Sequence, residues 1–342
     1  MRKVINKIYV NFKNYIKENY KYIIFIIFFS VFCFYNTGYS IYRPGGIINS
    51  SIRVSGDNLY KSKGSFNMAY ISMTKGRLPF YLLAKIIPSW ELIKNEQLTI
   101  NDLETIEEAR KRERLYYEES MTSAMYVALK KANQDFEVES EKFYILFKTP
   151  ENDSVLEVGD EILSYDGIEF TSTDNFIKYI NSKKDGYVIK IKYKETNGKI
   201  KETTSTIYEK DDGLLVGLSI IKLLNIKSNH NIEIKSKSSE SGPSGGFITA
   251  LSIYDALTKE DLTRGKKIVG TGTINYDGEV GEIGSVNQKL DAAVKKHADI
   301  FLCPKNNYDE VNLYAKEKKY DIIIKSIANF DEAILYLNSL ED

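Results

Sequence analysis

The chain has 342 residues, enough for about two or three compact domains, and a globular composition of 43% hydrophobic and 27% charged residues. Lys plus Arg and Asp plus Glu each total 47, so the formal net charge is zero and nothing supports a broad nucleic-acid-binding surface. Two cysteines, Cys33 and Cys303, and two histidines, His230 and His297, exclude a disulfide framework and a multi-histidine metal site. No cofactor and no metal are expected.

Tyr22 to Tyr42 carries no charged residue before Arg43, and as a helix it would cross roughly 30 Å of hydrocarbon. Arg2, Lys3, Lys7, Lys13, Lys17 and Lys21 precede it against a single acid, Glu18. The pattern predicts a cytoplasmic basic tail (1–21) and a transmembrane anchor (22–42), with everything after Arg43 outside. A cleaved signal peptide is the rival, but no small-x-small site follows the apolar core.

Residues 43–141 are expected to form an α/β region. It opens with a linker at 43–55, followed by a strand at Gly64–Thr74. A helix from Leu78 to Ile87 follows, and a long helix runs from Leu103 to Ala132, where apolar residues recur at three- and four-residue spacing. Over 142–207, short strands flank VLEVGDEILSYDGIEF and a helix at Thr173–Asn181. From Tyr208 onward, strands and helices alternate. The helices are placed at Gly245–Leu257, Val286–His297, Asn307–Glu317 and Asn329–Asn338, and buried strands at Lys267–Ile274 and Ile300–Pro304. The predicted fold class is a multidomain α+β protein.

Two positions can do chemistry. Ser244 in ESGPSGGF stands where backbone N–H groups open a helix, which suits a serine nucleophile beside an oxyanion hole and equally suits a simple helix cap. A nucleophilic serine needs a base. His230 and His297 form no triad pattern with it. A lysine works only if burial lowers its pKa, and Lys289 lies in an apolar helical stretch, VNQKLDAAV.

GPSGG, then GTGTI, then DGEVGEIGSVNQKLDAAVKKHADIFLCP is similar over its whole length to the proteolytic domain of Lon-type proteases, across about 208–342. The resemblance implies a nucleophilic Ser244, a general base Lys289, and supporting roles for Thr271 and Gly245. Gly245 replaces the family's usual Ala, Ser241 an Asp often found three residues before the serine, and Ser285 the second Gly of a Gly-Gly pair. VGDEILSYDG resembles the turn of PDZ domains over 142–207, which implies a peptide groove between Tyr144, Ile145 and Phe147 on a strand and Ile177 on a helix.

The whole layout resembles the bacterial membrane-anchored PDZ–Lon peptidases. That family implies a Ser-Lys endopeptidase on the outer side of a bacterial cell membrane. Its partners would be exported peptides or flexible protein segments and the membrane itself, with no nucleic acid, and the oligomeric state stays open. No GxxxxGK[ST] loop occurs, so cleavage is expected to be independent of ATP. Two rivals are weaker. A membrane-tethered PDZ adaptor with an inactive peptidase domain is opposed by the intact Ser, Thr and Lys. A trypsin-like protease would need His and Asp upstream.

Overall fold

The computed structural model describes residues 2–211 and 213–341. The chain divides into two compact units.

The first unit comprises Met1–Arg43 and Ser72–Gln97. Its helix α1 (Arg2–Phe34) stops short of the expected membrane exit, because the chain turns extended at Asn36 to begin strand β1 (Asn36–Asn49). There Tyr39–Tyr42 pair antiparallel with β3 (Glu91–Lys94). The short helix α2 (Leu78–Ala84) completes the unit. The transmembrane anchor at 22–42 is therefore not supported: among the described residues no helix is long and apolar enough to cross a membrane. The physical reason is length. The charge-free part of α1, from Tyr22 to Phe34, spans only about 20 Å at helical rise, and the remaining apolar residues are spent on a strand.

The second unit comprises Pro44–Ile71 and Leu98–Asp342 and holds two sheets. In one, β14 (Ile323–Ile327), β13 (Ile300–Pro304), β10 (Lys267–Gly270) and β2 (Ser65–Arg77) run parallel in that order, with β1 beyond β2. Both faces of this sheet are covered. Ile268 and Leu302 point to a core with Phe66, Ala124, Phe247 and Phe330, on the side of α3 (Ile106–Lys131), α5 (Gly246–Leu257) and α8 (Phe330–Asn338). Val269 and Phe301 point to a core with Val286, Leu290 and Val311, on the side of α6 (Val286–Lys295) and α7 (Tyr308–Lys318). A parallel sheet buried on both faces needs continuous apolar strands, which is why KIVG and IFLCP show no alternation.

The expected linker at 43–55 is partly strand β1, and the strand expected at 267–274 breaks at Thr271–Gly272 before a hairpin of β11 (Thr273–Ile274) and β12 (Val280–Gly281).

The other sheet has the order β9 (Leu218–Ser228), β4 (Phe136–Lys148), β5 (Glu161–Tyr165), β6 (Val188–Lys194), β7 (Ile200–Thr206), and the short strand β8 (Gly213–Leu215) lies outside it. One face packs Ile145, Ile162, Ile189 and Ile191 against Phe176 and Ile180 of α4 (Thr173–Asn181). The other packs Leu146 and Ile221 against Leu115 of α3. Strand β6 alternates buried and exposed residues, as an antiparallel strand with one apolar face should. This sheet continues to Ser228, past the end at 207 that the sequence suggests, because β9 pairs along the length of β4.

Candidate functional site

Ser244 is half-buried in the turn that enters α5. The turn is held almost entirely through its backbone. Gly242 takes a left-handed φ of +82°, open to glycine at little cost, and its N–H donates to the Glu113 carbonyl at 2.8 Å. Ser120 Oγ on α3 donates to the Pro243 carbonyl at 2.7 Å. The Ser244 carbonyl accepts from the Gly272 N–H at 2.8 Å and from Thr271 Oγ1 at 3.1 Å. Among the described residues, the amides of Ser244 and Gly245 donate no hydrogen bond. They sit at the N-terminal end of α5, where the helix dipole favours negative charge.

Gly245 and Gly246 are tightly enclosed. A Cβ on Gly245 would overlap the Met68 sulfur, and one on Gly246 would overlap Ser120 Oγ. The glycine that departs from the family's usual alanine thus matches a methionine on β2 that occupies the space of the missing methyl.

Lys289 lies on α6 and is 3% exposed, in the stretch that buries Val286, Leu290 and Ala293. Burial, acting alone, pulls its amine down from 10.5 to about 7. Among the described residues its side chain makes no hydrogen bond or ion pair, so no direct bond joins it to Ser244 Oγ. Catalytic hydrogen bonds are commonly long in the unliganded state and tighten around substrate. Ser285, just ahead of α6, is itself left-handed at φ 57°, a conformation that a glycine would hold more readily. Thr271, fully buried, bonds the Ser244 backbone rather than the Lys289 side chain.

A cleft of about 590 Å³ adjoins the turn at Pro243. Its walls include Tyr116 and Glu119 of α3, the β11–β12 hairpin and Lys305. The sequence reading assigns α3 no chemistry, yet this helix supplies Glu113, Ser120 and a cleft wall. It also anchors the approach to the turn: Arg114 donates to the Lys237 and Glu240 carbonyls, and Tyr117 to the Glu240 carboxylate, which forms a bidentate pair with Arg53. The available signal is the polar pair Ser120 and Ser123 amid the buried residues Tyr117, Ala124 and Val127.

The PDZ-like residues are placed differently from expectation. Tyr144, Ile145 and Phe147 lie on β4, which has β9 on one side and β5 on the other. Ile145 is fully buried and pairs with Ile220, Tyr144 with Ile221, and Phe147 with Ser219. A peptide therefore cannot add beside β4. The edge on that side is β9, which arrives from later in the chain, with Leu218 and Ile220 packed on the α4 side. Ile177 on α4 is 54% exposed.

Residues 230–338 match the Lon protease (S16) C-terminal proteolytic domain. The chain is 22% identical to Lon protease 2 of Borreliella burgdorferi over 192 residues, covering 49% of this chain and 24% of that protein. It is 28% identical to the Lon protease of Neorickettsia sennetsu over 115 residues, covering 34% of this chain and 14% of that protein. The chain thus spans about a quarter or less of the length of these curated relatives. Among solved structures, it is similar to the PDZ domain of an SdrC-like protein from Listeria monocytogenes, at 30% identity and a TM-score of 0.22, covering 25% of this chain and 93% of that one. A PDZ domain of an SdrC-like protein from Listeria innocua is 33% identical, with a TM-score of 0.21, covering 23% of this chain and 92% of that one. The C-terminal part of the chain, residues 230–338, is thus a Lon-type serine peptidase domain.

Proposed function

We propose that the chain is an endopeptidase in which Ser244 is the nucleophile and Lys289 the general base, acting without ATP on peptides or flexible protein segments. The observation that carries this reading is the burial of Lys289, which brings its amine to about 7 and makes a neutral base available near neutral pH. Lys289 takes the proton from Ser244 Oγ as the oxygen attacks the scissile carbonyl. The free amides of Ser244 and Gly245 are suitably sited to hold the developing oxyanion. Lys289 then returns the proton to the leaving amine, and water releases the acyl group from Ser244 by the same route in reverse. Thr271 supports the step by fixing the Ser244 carbonyl.

Independence from ATP rests on the sequence, in which no phosphate-binding loop of the GxxxxGK[ST] type occurs. The substrates that fit ATP-independent cleavage are those already extended. Peptide binding by the PDZ-like sheet, in this reading, uses the edge of β9 together with α4, where an added strand would find unpaired backbone.

The test is a comparison of purified wild-type, Ser244→Ala and Lys289→Ala proteins on unstructured peptides in the absence of nucleotide. Both variants should fold and lose cleavage. Substantial cleavage by a folded Lys289→Ala protein would remove Lys289 from the chemistry.

A further inference from the structure

The cleft beside Pro243 contains a charge that the dyad does not use. Glu119 of α3 lines this cleft together with Pro243, whose carbonyl the next residue of the helix, Ser120, holds. Its carboxylate is half-buried, and among the described residues it forms no ion pair. Among the described residues, the one hydrogen bond it receives is from Ser123 Oγ, a neutral donor, at 2.9 Å. Burial pushes the carboxyl above its ordinary range, and the Ser123 bond only partly opposes this. A carboxylate taken out of water and left without a cation is costly to maintain. At a cleft that opens beside a nucleophile, a substrate can supply that cation.

The other charged groups of the cleft, Glu279 and Lys305, are exposed at its rim. Charges in that position are screened, so the more deeply set Glu119 dominates the field felt by a side chain entering the cleft. The hairpin segment Thr273–Asn275 lies along the same cleft, leaving Glu119 as the feature that would distinguish one substrate side chain from another.

We propose that Glu119 is a specificity-determining residue whose carboxylate receives a lysine or arginine side chain of the substrate next to the scissile bond. The proposal rests on the Ser244–Lys289 reading and names the substrate class of that site: unstructured peptides with a basic residue at the cleavage point.

The experiment uses the full chain and a set of internally quenched peptides. They differ only at the residues flanking the cleaved bond, which carry Arg, norleucine or Glu in turn. The expected result is a kcat/KM for the Arg peptide roughly 10- to 100-fold above that for norleucine, the range of a charge-assisted hydrogen bond in a partly desolvated site. Glu119→Gln should bring that ratio to within a few-fold of unity, and Glu119→Asp should keep part of the preference. If Glu119→Gln does not fold, the wild-type ratio and the Glu119→Asp protein still decide. Equal cleavage of the Arg and norleucine peptides, or preference for Glu, overturns the assignment. So does an Arg preference that survives in a folded Glu119→Gln protein. Ser244-dependent cleavage without basic preference removes Glu119 alone. Cleavage that persists in Ser244→Ala, or a folded wild type that cuts none of the peptides, removes the dyad reading and this proposal with it.

Discussion

Lys289 is held in a state that an ordinary lysine avoids. Its folded-state pKa is about 7, against 10.5 for the unperturbed group. Between those values the unfolded chain carries a proton that the folded chain lacks, so stability rises with pH across that window. Below about pH 7 the penalty is fully present; above about 10.5 it is gone. Activity should follow the other side of the same titration, with kcat/KM rising as pH climbs through about 7 and Lys289 loses its proton. Replacing the amine by a side chain of similar length and no charge should remove the penalty. Lys289→Met is expected to be inactive and, at pH 7, more stable than wild type by roughly 2–5 kcal/mol. Thermal unfolding of both proteins from pH 6 to 10 measures this. Curves that coincide throughout would mean that Lys289 is not desolvated. A helix pattern and a family resemblance single out Lys289 in the sequence, but neither carries its burial, which is set by the packing of α6 against β13 and α7.

At the scale of elements, α3 and β2 set the shape of the serine turn. Helix α3 fastens it with Ser120 and Glu113, while β2 places Met68 over Gly245. This explains why the position that carries alanine in the family is glycine here. Gly245→Ala should cost roughly 1–3 kcal/mol through overpacking. Met68→Ala alone should cost about 2–5 kcal/mol through the cavity it leaves. Because the two changes meet in the same volume, the double variant should be more stable than the sum of the two predicts, by about 1 kcal/mol or more. Denaturant titrations of the four proteins close the cycle, and strict additivity would show that Met68 moves aside freely. The three- and four-residue apolar spacing of α3 is readable locally. Which of its faces meets the serine turn is not, because the turn lies more than a hundred residues further along the chain.

Across the second unit, α3 also lies against the PDZ-like sheet, through Leu115 beside Ile221 of β9, and so touches both the serine turn and the strand next to the proposed groove. The two sites nevertheless call on different quantities. Ile177→Glu, at a residue already 54% exposed, should leave stability within about 0.5 kcal/mol of wild type. It should raise KM for a long substrate that engages β9 and α4, with kcat for a short peptide unchanged. An equal loss of kcat on the short peptide would mean that this face supports the active site rather than capturing substrate.

The sequence by itself determined the Lon-like motif, the positions of Ser244 and Lys289, and most elements of the parallel sheet, since these follow from short-range patterns: glycine at a turn, apolar runs, helical spacing. The extents of α4 and β13 are legible in this way. Only the tertiary structure decided the rest. An apolar run at 22–42 is split between α1 and β1, because backbone pairing with β3 competes with helix extension. Strand β4 is interior rather than an edge, because β9, from much later in the chain, pairs along it. Glu119 and Ser120 look like the solvated face of a charged helix until the fold brings the serine turn to them. In each case the deciding contact joins residues far apart in the chain, and no local pattern encodes it.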